Sequence, residues 1–95
     1  MSSQPVKAGV IGLGRSGWYL HALVMKGMPD RFEVTAVSDP LEERRNEAVQ
    51  ELGCTAYADP EQLIHDDRIE LVVVATPSHT HADLAVRALE AGKHV

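Results

Sequence analysis

One cysteine, one tryptophan, one phenylalanine and two tyrosines in 95 residues leave this chain few of the side chains that carry thiol, metal or stacking chemistry. The lone Cys54 excludes an internal disulfide, and its setting in "LGCTAY" reads as a small buried hydrophobe, since no activating base is in view. Cations are also in the minority. Nine Lys and Arg against fourteen Asp and Glu give a net charge of -5, and no basic cluster falls on a predicted helix face. That disfavours nucleic acid and anionic membranes as partners. The longest apolar run, "LVVVA" at Leu71 to Ala75, is far short of the ~20 residues a membrane helix needs. The start, "MSSQPVK", lacks the charged and apolar stretches of a secretory signal, so residues 1–5 read as a frayed tail on a cytoplasmic protein. What remains, 44% hydrophobic and 24% charged, is the composition of one ordinary globular domain over residues 1–95, folding without staples.

Within that domain, short β-branched runs alternate with helical stripes. Val6 to Ile11 and Phe32 to Val37 read as strands, and Ile69 to Ala75 is apolar at nearly every position, the pattern of a parallel strand covered on both faces. A shorter strand is expected around Cys54 to Tyr57. The first helix is expected from about Ser16 to Lys26, apolar nearly all round and closed by Gly27. For the second, Asp39 suits the cap and Pro40 the first helical position, with Leu41, Ala48, Val49 and Leu52 as the buried stripe and Gly53 as the stop. A helical turn follows Asp59-Pro60, and "HDDR" at His65 to Arg68 reads as a turn. The last helix carries the stripe Ala82, Ala85, Val86 and Leu89 and stops at Gly92, after which "KHV" starts a further strand. Such alternation means an α/β fold with a parallel sheet built from βαβ units.

The stretch "VIGLGRSGWYLHA" places glycines at 12, 14 and 17 where the first strand passes into the first helix. G-x-G-x-x-G in that context has a mechanical meaning: one glycine for the tight turn, one for close approach of a pyrophosphate, and one for helix–strand packing. Backbone N–H groups at the helix start, with the positive end of its dipole, face the anion. Asp39 closes the second strand 22 positions after Gly17, where a Rossmann fingerprint places the acidic residue that accepts from a ribose hydroxyl. Asp-Pro is also an ordinary helix cap, and both roles can hold at once. The fold class is therefore a Rossmann-type, doubly wound parallel sheet, and the cofactor a nicotinamide dinucleotide. A carboxylate at Asp39, helped by Glu42 and Glu43, repels a 2'-phosphate and favours NAD, while Arg44 and Arg45 pull toward NADP.

A second cluster of polar residues, "ATPSHTHADLA", follows the buried strand. In an open parallel sheet, ligands bind beyond the carboxyl ends of the strands near the switch point, so Thr76, Pro77 and Ser78 would line the crevice. Pro77 stiffens the loop, and Ser78 or Thr80 can cap the helix, which alone also accounts for the pattern. His79 and His81 lack the partners a metal site needs, and His81 fits the cofactor pocket better. His21 reads as a partly buried helix histidine, and Trp18 and Tyr19 as packing residues.

"VIGLGRSGWYLHA", "VTAVSDP" and "LVVVATPSHTHADLAVRALEAGKHV" together resemble the N-terminal cofactor domain of the glucose-fructose oxidoreductase, inositol dehydrogenase and rhizopine-catabolism (Gfo/Idh/MocA) family over nearly the whole chain. The resemblance implies a dehydrogenase moving a hydride between a nicotinamide cofactor and a hydroxyl-bearing carbon of a sugar, inositol or related polyol. By it, Gly12, Leu13, Gly14, Arg15, Ser16 and Gly17 correspond to the dinucleotide loop and Asp39 to the adenosine-ribose contact. Thr76, Pro77, Ser78 and His81 correspond to the loop beside the ribose and nicotinamide. Members of the family continue beyond "GKHV" into a Glu-Lys-Pro motif with a catalytic lysine and then into a substrate domain. This sequence carries neither, so no catalytic residue is assigned in it, and the chain is expected to be inactive alone.

Two other readings stand beside the oxidoreductase: a nucleotide-binding module that senses without turnover, and a relative using its cofactor transiently in hydrolysis or epimerisation. The apolar strand Ile69 to Ala75, beside only a stub, is expected to leave an exposed edge through which the chain associates with itself.

Overall fold

In the computed structural model, which describes residues 4–76 and 78–95, strands and helices alternate along the chain as the patterning requires. Strands β1 (Val6–Ile11), β2 (Phe32–Ser38), β3 (Thr55–Tyr57) and β4 (Leu71–Val74) form one wholly parallel sheet in the order β3-β2-β1-β4. The chain steps outward from β1 to β3 and then returns to the far side of β1 for β4. This reversal creates the switch point at which open α/β sheets bind their ligands.

Helices cover both faces. A π-helical stretch, Ser16–Ala22, runs directly into α1 (Leu23–Lys26); α2 spans Glu42–Leu52, α3 Pro60–Ile64 and α4 Ser78–Glu90. Alternate residues of the strands point to opposite sides. Ala8 and Val10 of β1 join Trp18, Ala22, Met25 and Ala48 in one core cluster, while Ile11 joins Leu63, Ile64, Leu84 and Ala88 in the other. The doubly wound arrangement follows from that division.

Several local expectations need correction. The helix after the glycines is not α-helical from its start: Leu23 N–H reaches back to the Trp18 carbonyl, one residue further than in an α-helix. Nor is it buried all round. Trp18, Ala22 and Met25 face the sheet, whereas Tyr19, Leu20 and Val24 are 63%, 65% and 51% exposed, so Tyr19 is no packing residue. In α4 the expected stripe is the wrong one, since Leu84 and Ala88 are buried while Val86 and Leu89 stand exposed. Both sets repeat at helical spacing, and only contact with β4 and α3 selects between them.

Asp39 does not cap α2. The helix starts two turn residues later, after an extended Leu41 with no side-chain cap, and Pro40 lies in the turn. Of the stripe expected on α2, Ala48 is buried, Leu52 is half-buried, and Leu41 and Val49 are exposed. By contrast Asp59 caps α3, accepting from the Glu61 N–H at 2.9 Å. Cys54 is half-buried against the core, and burial pushes its thiol pKa up, away from thiolate chemistry.

The "HDDR" turn buttresses the edge of the sheet. Asp66, with only 5% of its side chain exposed, accepts from Tyr57 Oη at 2.9 Å and from the Arg68 Nε and Nη2 at 3.0 and 2.6 Å. The Arg68 guanidinium holds the Asp66 carboxyl well below the usual carboxylate range, and the bond to Asp66 raises the Tyr57 hydroxyl. A carboxylate favoured only in the folded state contributes stability above its unfolded pKa, near 4, and loses it as pH falls toward the folded value. Asp66→Asn is therefore expected to lower the urea midpoint at pH 7, with the gap to wild type closing as the pH drops below about 4. A gap that stays constant from pH 7 to pH 2.5 would contradict this role.

Candidate functional site

The carboxyl ends of β1, β2 and β4 open onto a cavity of about 660 Å³, a size usual for small-molecule sites. Its floor is the glycine turn. Gly12 has φ +94°, a conformation that suits glycine, and a Cβ there would stand 2.9 Å from the Ala75 carbonyl oxygen. At Gly17 a Cβ would fall 1.8 Å from the Gly12 carbonyl oxygen, so this glycine is what lets the helix sit on the end of β1. Gly14 differs from both: a Cβ would meet nothing closer than Arg44 Nη1 at 3.7 Å. Packing therefore demands the first and third glycines, while the second faces the open cavity. This division matches what a pyrophosphate lying across the turn requires.

Asp39 holds the turn from the side. It is 4% exposed, and its Oδ2 accepts the Leu13 N–H at 2.9 Å while Oδ1 accepts the Leu41 N–H at 2.9 Å. One carboxylate thus ties the glycine loop to the β2–α2 turn. Arg44 approaches Oδ2 at 3.5 Å, a loose ion pair, and Arg45 donates instead to the Asp39 and Pro40 carbonyls at 2.9 and 3.0 Å. Beside Asp39, the Ser38 hydroxyl is buried at the cavity wall without a hydrogen-bond partner among the described residues.

The residues singled out from sequence fall unevenly around this cavity. Gly12, Gly14, Asp39 and Thr76 line it. Leu13 turns its side chain into the core, leaving its backbone committed to Asp39, and Gly17 is buried beneath the turn. Arg15 and Ser16 are exposed at the start of the π-helical stretch. His81 is exposed and hydrogen-bonds through Nε2 to the Thr76 carbonyl, bracing the β4–α4 loop. Pro77 and the side chains of Ser78, His79 and Thr80 lie outside the described residues. His21 is half-buried, with Nδ1 3.0 Å from the Ser16 carbonyl oxygen. Motif reading gave no site role to Ala58, Pro60, Asp83 and Leu84, which also line the cavity. They come from α3, α4 and the loop after β3, and no local signal marks them; Arg44 was legible only as a cation near Asp39.

A parallel sheet with a glycine turn and a buried carboxylate at its switch point defines a dinucleotide-binding domain of the Rossmann type. The family described as "Oxidoreductase family, NAD-binding Rossmann fold" matches residues 6–95, and the chain belongs to it: it is the NAD-binding domain of a Gfo/Idh/MocA protein. It is 34% identical over 91 residues to scyllo-inositol 2-dehydrogenase (NAD(+)) of Bacillus subtilis, covering 95% of this chain and 26% of that protein. The crystal structure of apo scyllo-inositol dehydrogenase from Lactobacillus casei superposes with a TM-score of 0.90 at 30% identity, over all of this chain and 28% of that one. KijD10, a 3-ketoreductase from Actinomadura kijaniata in complex with NADP and TDP-benzene, gives a TM-score of 0.87 at 31% identity, over 96% of this chain and 28% of that one. The chain thus spans about a quarter of the length of the curated relatives it matches. Among the described residues no helix is long and apolar enough to cross a membrane.

Proposed function

We propose that this chain is the cofactor-holding part of an NAD(P)-dependent oxidoreductase acting on a hydroxyl-bearing carbon of inositol, a sugar or a related polyol in the cytoplasm. The observation that carries the reading is the split among the glycines: packing demands Gly12 and Gly17, whereas Gly14 opens on the cavity beside a buried carboxylate. When bound, the nicotinamide supplies or accepts the hydride; the chain's own residues bind and orient. In this reading the Gly12 to Gly17 turn receives the pyrophosphate, with Arg15 and Ser16 at its rim. Asp39 offers its remaining lone pairs to the adenosine ribose. Thr76, Pro77, Ser78 and His81 border the nicotinamide side, where His81 fixes the loop through the Thr76 carbonyl. Inositol in the names of the relatives supports the substrate class.

Trp18 is the single tryptophan and is buried directly after Gly17, so bound NADH should quench its emission by energy transfer. Saturable quenching is expected on NADH titration. Emission unchanged up to millimolar NADH would count against the reading.

We also infer self-association through β4. Among the described residues His94 bridges only the start of this edge strand, taking the Val72 N–H and donating to the Glu70 carbonyl, and α4 beside it exposes Val86 and Leu89. Unpaired strand edges flanked by apolar side chains recruit further chains. Light scattering after size-exclusion chromatography should give a mass of two chains or more; a single-chain mass at all concentrations would exclude it.

A further inference from the structure

We propose that Arg44 is a movable counter-ion that lets the site accept both NAD and NADP, yielding Asp39 to the ribose diol of the first and pairing with the 2'-phosphate of the second. The inference rests on the dinucleotide reading above. An acidic residue at the end of β2 ordinarily excludes a 2'-phosphate by repulsion. Here the charge of Asp39 is already offset by two backbone N–H donors, from Leu13 and Leu41, and by Arg44. A carboxylate has about four acceptor positions, and the two N–H bonds leave one on each oxygen. Arg44 approaches Oδ2, so a ribose hydroxyl that binds this oxygen competes with the guanidinium.

Arg44 is placed to move. Its pairing distance of 3.5 Å is beyond a good hydrogen bond, its side chain is 45% exposed, and its Nη1 hangs over the open face of Gly14 at the cavity wall. The neighbouring charges leave it the natural partner for a phosphate. Arg45 is tied to the Asp39 and Pro40 carbonyls, and Asp83, which also lines the cavity, is paired with Arg87 at 3.2 Å. Glu42 and Glu43 are exposed in the first turn of α2 and oppose the phosphate, which makes the cation at position 44 decisive. Guanidinium and phosphate pair through charge-assisted, often bidentate hydrogen bonds.

Titrating the chain with NADH and NADPH, followed through Trp18, tests this. Wild type should bind both with dissociation constants within about tenfold of each other. Arg44→Ala should weaken NADPH by about tenfold and tighten NADH by a few-fold, because the competitor for Asp39 is gone. Arg44→Lys should recover part of the NADPH binding. Opposite shifts of this kind would not arise from a residue that only supports the fold. Equal effects of Arg44→Ala on both ligands, or a selective NADPH loss in Arg15→Ala instead, would overturn the assignment. Wild type binding NADH but not NADPH would also overturn it while leaving the dinucleotide reading intact. Binding of neither would overturn both.

Discussion

Gly17→Ala is expected to cost at least about 3 kcal/mol of stability and to abolish dinucleotide binding, whereas Gly14→Ala should leave the fold within about 0.5 kcal/mol of wild type and still lose binding. The contrast comes from where each new methyl group goes. At Gly17 it would lie 1.8 Å from the Gly12 carbonyl oxygen and 2.8 Å from its carbon, so the helix must lift off β1 or the turn must unwind. Backbone atoms cannot step aside as a flexible side chain does. At Gly14 the methyl enters the cavity, and its backbone φ is not in the left-handed region, so only a ligand would notice it. Urea denaturation paired with NADH titration of the two variants separates the effects. A stable Gly17→Ala variant, or a Gly14→Ala variant with unchanged affinity, would break the division of labour among the glycines.

The second large effect belongs to Asp39. Its alanine variant leaves the buried Leu13 N–H without an acceptor and frees the turn at Leu41, at a cost of about 2–3 kcal/mol. The glycine loop loses its lateral tie, and NADH affinity should fall by more than about tenfold along with the ribose contact. Asp39→Asn keeps one acceptor oxygen and should fall between wild type and alanine in urea midpoint. It puts donors where a ribose hydroxyl needs an acceptor, so its affinity should drop nearly as far. An alanine variant with wild-type stability would mean that the Leu13 and Leu41 bonds contribute nothing.

How far this arrangement could be read in advance depended on whether the governing interaction was local. The strands, the alternation and the turn and packing demands on Gly12 and Gly17 were legible because a strand that meets a helix through glycines has few physical explanations. Asp39 was legible as important but not in its manner. Asp-Pro before a helix looks like a cap, and its actual partner, the Leu13 N–H, lies 26 residues away in sequence. The facing of α4 failed for a related reason: Ala82, Ala85, Val86 and Leu89 repeat as well as Leu84 and Ala88 do. Only the placement of β4 and α3 decides which set is buried. The π-helical turns over Ser16–Ala22 left no mark in the hydrophobic pattern, since Trp18, Ala22 and Met25 suit an α-helix equally. The cavity lining contributed by Ala58, Pro60, Asp83 and Leu84 is assembled by topology.

If the switch-point cavity between the glycine turn and Asp39 holds a nicotinamide dinucleotide, an amide-resolved NMR titration of the chain with NADH will register it. Saturable shifts are expected at Gly12, Gly14, Arg15, Ser16, Asp39 and Thr76, with the α2 face around Gln50 and Glu51 unmoved. Shifts absent at the glycine turn, or spread evenly over the surface, would contradict it.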